Sequence, residues 1–142
     1  MHLMIHIDGG SRGNPGPAGA GVVIRSADDK TILFQAGYFL GRATNNIAEY
    51  RGLLEALRQA QRLKARKVDV YSDSELLVRQ MNGQYRVKNA FLKPLFEQAR
   101  RLAGEFQRFS IVHVYRQSNA LADKLANQAM NVQANVEDAA ES

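Results

Sequence analysis

The order of apolar and polar residues along the chain predicts five strands and four helices. Short apolar or alternating runs mark strands at residues 3–7, 20–25, 31–40, 67–71 and 110–115. Apolar residues recur at helical spacing over residues 45–63, 74–81, 90–106 and 118–130. The resulting order, βββαβααβα, predicts an α/β fold. Its five-stranded mixed sheet has three antiparallel strands followed by parallel additions, with helices on both faces.

Chain length and composition favour one folded domain. The chain has 142 residues, of which 45% are hydrophobic, and can bury a single core. Residues 1–131 are predicted to form this domain. Residues 132–142 are rich in Ala, Asn and acidic residues and lack apolar periodicity. We therefore predict that this C-terminal tail is disordered.

Composition also narrows the possible chemistry. The chain has no cysteine, which excludes disulfides, thiolate metal sites and a cysteine nucleophile. No apolar run approaches the roughly 20 residues of a membrane span. The N-terminus enters a strand without a signal-peptide pattern. These features predict a cytoplasmic protein without a membrane partner, and we expect it to be a monomer.

The charge of the chain points to a polyanionic partner. The net charge is +5, although the tail carries Glu137, Asp138 and Glu141 and no basic residue. The body of the protein is therefore more basic than the whole chain. A basic body of this size favours binding to nucleic acid, with an affinity that falls as salt rises. The alternative is a basic surface that serves solubility alone.

Four dispersed carboxylates are unusually placed. Asp8 follows the first strand and opens a Gly-rich run, and Asp73 follows the strand at residues 67–71. In open α/β sheets, ligands bind beyond the carboxyl ends of strands. Glu49 lies inside the apolar arc of its helix, where an unpaired charge is costly, and Asp123 lies at the margin of the last helix's apolar face. Taken singly, these acids could be turn residues or acids favoured by a helix dipole.

If the four acids converge, they require cations. Two like charges about 4 Å apart repel by roughly 4 kcal/mol at an effective dielectric of 20. Hard oxygen ligands without thiolates favour Mg²⁺, with Mn²⁺ as a substitute. Two such ions can activate water and stabilise both the attacking and the leaving oxygen of a phosphodiester.

Four motifs in the chain resemble those of type 1 ribonuclease H. They are DGGSRGNPGP from Asp8, TNNIAE ending at Glu49, YSDS around Asp73 and ADKLA around Asp123. The resemblance covers residues 5–129 and is nearest to the compact archaeal-like variant without the basic handle. It implies a ribonuclease H fold and an endonuclease that hydrolyses the RNA strand of RNA/DNA hybrids, leaving 3′-hydroxyl and 5′-phosphate ends. It also implies that the four acids hold two Mg²⁺ ions.

The resemblance further implies contacts with the substrate. Asn14 and Asn45, assisted by Asn46, match polar residues that touch the hybrid in its minor groove. Arg42 and Thr44 match a pocket for a phosphate of the DNA strand. From the residues alone, Asn14 could instead be a turn residue and Asn45 a helix cap. Activity on double-stranded RNA, which shares A-like geometry, is a further alternative.

The chain departs from the family pattern in the loop before Asp123. Residues 114–122 contain no His, and Arg116 is the nearest residue in role. A guanidinium can steer a phosphate or ease product departure, but it cannot shuttle a proton near neutral pH. We include Arg116 among the catalytic residues on this basis. His113 comes too early in the chain for the loop position, and we expect it to be structural.

Two other departures concern substrate binding. The chain has no Trp, so the Trp-rich handle of many relatives is absent. A basic stretch with interleaved aromatic residues remains: Arg79, Tyr85, Arg86, Lys88, Phe91, Lys93, Phe96, Arg100 and Arg101. We expect Phe91 and Phe96 of this region to lie in the core, with the basic residues along the DNA strand. Glu75 stands where relatives often carry a neutral Gln.

Two rival functions remain on the sequence alone. A hybrid-binding module without catalysis is one, because a fold can host other functions. All four acids argue against it, since a binder of a polyanion gains nothing from clustered negative charge. A related nuclease that acts on DNA is the other. The TNN run before Glu49 favours the hybrid as substrate.

Overall fold

The structure, a computed structural model, describes residues 1–137 and contains one mixed sheet. The strands are β1 (His2–Ser11), β2 (Gly16–Ser26), β3 (Ile32–Ala43), β4 (Lys67–Ser72), β5 (Arg108–His113) and β6 (Val136–Glu137). The helices are α1 (Asn45–Arg62), α2 (Glu75–Met81), α3 (Lys93–Ala103) and α4 (Ala120–Val132), with a 3₁₀ turn at Arg116–Asn119. In this part of the chain, no helix is both long enough and apolar enough to cross a membrane.

The sheet confirms the predicted α/β architecture and its mixed pairing. The strand order is β5-β4-β1-β2-β3-β6. β1 pairs antiparallel with β2, and β2 pairs antiparallel with β3. β1 pairs parallel with β4, and β4 pairs parallel with β5. The fold is therefore of the ribonuclease H kind, with three antiparallel strands extended by two parallel ones.

The sheet has six strands rather than the predicted five. β6 is only two residues long and pairs antiparallel with Ala36 and Gly37 of β3. A Cβ atom on Gly37 would lie 2.2 Å from the carbonyl oxygen of Leu125 and 2.8 Å from Cγ2 of Val136, so the glycine leaves room for both α4 and β6. Asn135 Oδ1 also accepts a hydrogen bond from the backbone N–H of Phe39 at 2.8 Å. These contacts join segments that are far apart in the chain, and a search for apolar periodicity does not detect them.

The predicted disordered tail begins inside this ordered region. Val132 ends α4, and Val136 packs against the buried cluster of Val23, Ala122 and Leu125. Residues 132–137 of the tail thus have defined places in the structure. Residues 138–142 lie outside the described residues, so the prediction of disorder for them is not tested.

The two faces of the sheet are covered by different helices, as predicted. On one face, α1 packs on β1 and β2 and also against α3, and its Leu53 and Leu57 are fully buried with Ile5 of β1. On the other face, α4 packs on β2 and β3. A Cβ atom on Gly21 of β2 would lie 1.9 Å from the carbonyl oxygen of Ala122. The missing side chain lets the first turn of α4 approach the sheet closely.

The start of α3 differs from the sequence prediction. The helix begins at Lys93, three residues later than expected, with a proline in its first turn. Before it, Asn89 Oδ1 accepts a hydrogen bond from the backbone N–H of Phe91 at 2.7 Å, which makes a local turn. Phe91 therefore lies outside the helix and is 77% exposed. Its predicted place in the core is wrong.

Candidate active site

Three of the predicted acids meet at one edge of the sheet. Each of Asp8, Glu49 and Asp73 offers one carboxylate oxygen that lies within 4.8 Å of the other two. β1 continues past Asp8 to Ser11, but its parallel neighbour β4 ends at Ser72, opposite Ile7. Asp73 therefore leaves the sheet directly beside Asp8. The sequence argument from strand ends holds for Asp73, whereas Asp8 lies within a longer strand than predicted.

Glu49 reaches this edge because α1 comes very close to β1. A Cβ atom on Gly9 would lie 2.6 Å from the carbonyl carbon of Ala48 and 2.7 Å from the backbone nitrogen of Glu49. No L-residue with a side chain fits at Gly9 without moving the helix. Thr44 caps α1 and accepts a hydrogen bond from the backbone N–H of Ile47 at 3.2 Å. Together these contacts fix the first turns of α1, and with them Glu49.

Asp123 approaches the cluster from the face of the sheet that α4 covers, which is opposite to the face covered by α1 and Glu49. It lies in the first turn of α4 and is near enough for its charge to raise the pKa of Asp8, although it is not one of the three acids whose oxygens lie within 4.8 Å of one another. Asn119, at the start of α4, is 1% exposed and donates its Nδ2 to the carbonyl oxygen of Ile7 at 2.7 Å. Asn119 thus ties the start of α4 to the residue before Asp8. Asp123 is placed by this link and by the close approach of α4 at Gly21.

The cluster is short of positive charge. Burial, followed by the charges of Asp73 and Asp123, raises the pKa of Asp8 to about 8. Burial and the charges of Asp8 and Asp73 also raise the pKa of Glu49 well above its usual range. Among residues 1–137, no Lys, Arg or His side chain forms an ion pair with any of the four acids. These groups therefore favour either protons or cations.

The donor set fits a hard divalent cation. All the candidate ligands are carboxylate oxygens, which Mg²⁺ and Mn²⁺ prefer. Oε1 of Glu49 is buried and has no hydrogen-bond partner among the described residues. A buried carboxylate oxygen without a partner is costly, and a bound cation would remove that cost. The arrangement can thus hold a metal ion at the sheet edge.

The predicted groove residues form one hydrogen-bonded network beside the carboxylates. Asn14 Oδ1 accepts from the backbone N–H of Asn45 at 3.0 Å. Asn45 Oδ1 accepts from the backbone N–H of Ser11 at 2.8 Å. Both oxygens are therefore used to join the β1–β2 turn to α1. The two Nδ2 groups have no hydrogen-bond partner within residues 1–137, and both side chains are exposed. The side-chain oxygens of the two asparagines thus have a structural role. Their amide N–H groups can still donate hydrogen bonds to a bound molecule.

The other predicted substrate residues lie around the same end of the sheet. Arg42 is exposed near the end of β3, opposite Pro17 of β2. Thr44 is the helix cap, so its oxygen already accepts one hydrogen bond, but its O–H is still a donor. Asn46 is exposed in the first turn of α1 and shares a small crevice with Glu49 and Ser74.

Arg116 lies on the 3₁₀ turn between β5 and α4, and its side chain is exposed. The structure thus places it in the segment that leads to Asp123 but shows no contact between the two residues. His113 ends β5, opposite Ser72 of β4, and is exposed. Its ring meets that of Tyr115 edge to face, with centroids 5.6 Å apart. The structural role predicted for His113 is therefore limited to this surface contact.

Two site features were missed from the sequence. Asn119 was not counted as a site residue, although a polar residue one helical turn before Asp123 was a signal for it. Arg12 is also not identifiable as a site residue from the sequence. Its guanidinium NH2 contacts Asn127 of α4, at 3.3 Å from the side-chain oxygen and 3.5 Å from the carbonyl oxygen. No periodicity connects residues so far apart in the chain, so only the fold reveals this contact.

The basic stretch beyond α2 surrounds an open cleft of about 620 Å³. Its walls include Tyr85, Arg86, Lys93 and Phe96. Arg79 pairs with Glu75 at 2.8 Å and also lies over the ring of Tyr85, 5.3 Å from its centroid. The charge of Glu75 is thus neutralised by Arg79, one turn later in the same helix. The surface presents exposed aromatic rings beside cations, a combination found in nucleic-acid binding sites.

The geometry defines a class: an α/β sheet with a carboxylate cluster able to hold divalent cations at one edge. Comparison with known proteins agrees with this class. A family described as "Reverse transcriptase-like" matches residues 6–129. The crystal structure of RNase H1 from Halobacterium salinarum superposes with a TM-score of 0.90 and 39% identity, covering 93% of this chain and 99% of that one. The chain belongs to the ribonuclease H family.

Two further relatives bear on function. LC11-RNase H1, solved in complex with an RNA/DNA hybrid, has a TM-score of 0.87 and 40% identity, covering 92% of this chain and 98% of that one. A bifunctional protein of Mycobacterium tuberculosis is 48% identical over 134 residues. That match covers 94% of this chain but 37% of the mycobacterial protein. The chain thus spans little more than a third of the length of this relative.

Proposed function

We propose that this protein is an endonuclease that hydrolyses the RNA strand of RNA/DNA hybrids with two divalent cations. The observation that carries the proposal is the meeting of Asp8, Glu49 and Asp73 within 4.8 Å, with Asp123 beside Asp8. A cluster of this kind repels a nucleic acid unless cations neutralise it. The hybrid complex of LC11-RNase H1, a relative of the same fold, supports the choice of substrate.

The four acids have different expected roles. Asp8 is central to the cluster and would contact both Mg²⁺ ions, or Mn²⁺ in their place. Glu49 and Asp73 would hold the ion near the leaving group, and Asp123 the one near the attacking water. When bound, the ions supply an activated water and stabilise the charge of the phosphodiester as it is cleaved. In the proposed step, water attacks phosphorus in line with O3′, the P–O3′ bond breaks and O3′ takes up a proton, so the products carry 3′-hydroxyl and 5′-phosphate ends.

The surrounding residues would select and orient the hybrid. The free amide donors of Asn14 and Asn45, with Asn46 beside them, can bind 2′-hydroxyls in a minor groove, which is how proteins tell RNA from DNA. Arg42 and the O–H of Thr44 can bind a DNA-strand phosphate. Arg116 would steer the scissile phosphate or ease product departure. The surface around Tyr85 and Phe91, which combines basic and aromatic side chains, would bind the DNA strand in the absence of the Trp-rich handle found in many relatives.

The test is direct cleavage. The purified protein, expected to act as a monomer, is incubated with Mg²⁺ and with end-labelled RNA/DNA hybrid, duplex DNA or duplex RNA. We expect cuts in the RNA strand of the hybrid, with 5′-phosphate ends, and none in the presence of chelator. Asp8→Asn and Asp123→Asn should abolish cleavage. The matched control is Asp28→Asn, an exposed acid in the β2–β3 turn, which should cleave normally.

The outcomes separate the possible functions. Absence of any Mg²⁺-dependent cut in the RNA strand contradicts the proposed enzyme. Hybrid binding without cleavage would support a binding module instead. Cuts in duplex DNA alone would support a DNA-directed nuclease. Cuts in duplex RNA at a comparable rate would extend the substrate to A-form duplexes in general.

A further inference from the structure

Arg12 is an exposed cation that the proposed chemistry does not use. It lies in the turn between β1 and β2, two residues before Asn14. Its backbone N–H donates to the carbonyl oxygen of Pro17 at 2.8 Å, so the base of the side chain is fixed. Its guanidinium NH2 donates to Asn127 of α4, at 3.3 Å from Oδ1 and 3.5 Å from the carbonyl oxygen. Both ends of this flexible side chain are therefore held.

Asn127 is itself held beside the carboxylate cluster. Its Nδ2 donates to the carbonyl oxygen of Asp123, one helical turn earlier, at 3.0 Å. This bond fixes which way the amide points, so Oδ1 faces Arg12 as an acceptor. The chain Arg12, Asn127, Asp123 thus places a guanidinium one turn of α4 away from a proposed metal ligand.

The guanidinium keeps its charge and most of its donors. Within residues 1–137, Arg12 forms no ion pair with any carboxylate. Contact with a neutral amide orients the guanidinium without cancelling its charge, whereas an acid at position 127 would cancel it. An arginine presents five N–H donors, and only NH2 is engaged here. The remaining edge can bind a phosphate with two parallel hydrogen bonds.

We infer that Arg12, oriented by Asn127, is a binding subsite for one phosphate of the RNA strand on the α4 side of the carboxylate cluster. The inference rests on the proposed function and adds a contact to it. The cleaved strand must cross the cluster at Asp8 and Asp123, so its neighbouring phosphates pass over the first turns of α4. Lys124 is also exposed in this part of α4, but Arg12 is a cation whose guanidinium is held there by a contact with Asn127. Asn127 is a positioning residue, because it acts through Arg12.

The first test measures hybrid affinity against salt. In both tests, binding of intact hybrid is followed with Mg²⁺ present, so that the cluster is neutralised, and Asp8→Asn is added to every protein, the wild type included, so that no cleavage occurs. Each phosphate contact contributes about 0.9 to the slope of log affinity against log salt. Arg12→Ala should reduce the slope by about that amount, and Arg12→Lys should retain it, because the charge remains. Arg66→Ala, which removes an exposed arginine between α1 and β4, should leave the slope unchanged. An unchanged slope in Arg12→Ala would overturn the inference.

The second test locates the contact on one strand. Single uncharged methylphosphonates replace individual phosphates of the hybrid, one position at a time. With the wild-type protein, one position in the RNA strand should weaken binding, and Arg12→Ala should be insensitive to that position. A matching position in the DNA strand would overturn the assignment to RNA. If wild-type protein bound no hybrid at all, the proposed function would fail, whereas normal wild-type binding with no effect of Arg12→Ala rejects only this subsite.

Discussion

Gly9 and Glu49 are linked by a backbone contact that leaves no space for a side chain. A Cβ atom at position 9 would lie 2.7 Å from the backbone nitrogen of Glu49 and 2.6 Å from the carbonyl oxygen of Ala48. The strand that carries Asp8 therefore sets the position of the helix that carries Glu49. The distance between the carboxylates of Asp8 and Glu49 therefore depends on the absence of a methyl group at position 9.

Gly9→Ala should impair both folding and metal binding. The new methyl group meets backbone atoms rather than a flexible side chain, so α1 must shift, at a cost of about 1–3 kcal/mol in the free energy of unfolding. The shift also moves Glu49 away from Asp8 and Asp73, so a higher Mg²⁺ concentration should be needed for cleavage. Thermal unfolding and a Mg²⁺ titration of cleavage measure the two effects. Gly104→Ala is the control, because its nearest contacts would be 3.5 Å away. Equal behaviour of the two variants would contradict the argument.

The stability of the protein without metal should fall as pH rises. In the folded protein, the pKa of Asp8 is raised from its ordinary value of 3.8 to about 8. A raised carboxyl pKa stabilises the folded state below the ordinary pKa, and this stabilisation is lost as pH rises towards the folded pKa. In chelator, wild-type protein should therefore lose stability between about pH 4 and pH 8. Asp8→Asn, which cannot ionise, should lose less, by several kcal/mol at pH 8, since each unit of difference in pKa corresponds to about 1.4 kcal/mol.

Denaturant unfolding at several pH values, with and without Mg²⁺, measures this effect. Added Mg²⁺ should restore the wild-type protein at pH 8, because an ion that binds only the folded state stabilises it. Added Mg²⁺ should change the stability of Asp8→Asn much less. If wild type and Asp8→Asn showed the same pH dependence in chelator, the carboxylates would not be coupled as the structure implies.

The sequence predicted five of the six strands, the helices and the meeting of Asp8, Glu49 and Asp73, because these depend on regular patterns. Glu49 and Asp73 are detectable since burial of a charge and the end of a strand are local signals. Contacts between distant segments leave no such signal. The pairing of Val136 with Gly37, the bond from Asn119 to Ile7 and the contact of Arg12 with Asn127 all join segments that only the fold brings together.

The two asparagines of the groove illustrate a different limit. From the sequence, Asn14 and Asn45 could be either structural or substrate-binding residues. In the structure their oxygens hold the turn against α1, while their amide donors have no partner among residues 1–137. The alternatives were therefore not exclusive. One side chain can serve both purposes when its two polar atoms face different partners.

Arg116 should affect the rate of cleavage but not its pH dependence, because a guanidinium cannot exchange protons near neutral pH as an imidazole can. Arg116→Ala should lower kcat by roughly tenfold, equivalent to about 1.4 kcal/mol of transition-state stabilisation, with little change in the shape of the pH profile. Arg116→His should introduce a new dependence on pH near neutrality, because imidazole titrates there. Single-turnover cleavage from about pH 6 to pH 9 measures both. Full activity of Arg116→Ala would remove this residue from the catalytic set.

Phe91 and Phe96 should respond differently to truncation, although both were expected in the core. Phe91 is 77% exposed, so Phe91→Ala should change the free energy of unfolding by less than about 0.5 kcal/mol. It should weaken hybrid binding several-fold if the surface carries the DNA strand. Phe96 packs against the core and meets Tyr50 edge to face, with centroids 6.4 Å apart. Phe96→Ala should cost about 2 kcal/mol of stability. Chemical denaturation and hybrid affinity distinguish the two residues, and an unaffected affinity in Phe91→Ala would argue against a binding role for this surface.

Asn14→Asp should separate the two uses of the groove asparagine. Aspartate keeps an oxygen that can accept the hydrogen bond from the backbone N–H of Asn45, so stability should be close to that of the wild type. It lacks the amide donor and adds a negative charge, so hybrid affinity should fall roughly tenfold or more. Asn14→Ala loses the bond to Asn45 as well, and should also lose about 1 kcal/mol of stability. Gln107→Glu, an exposed amide-to-acid change directly before β5, controls for charge alone. If Asn14→Asp bound hybrid as well as Gln107→Glu does, the free amide of Asn14 would have no part in recognition, and its role would be limited to holding the turn against α1.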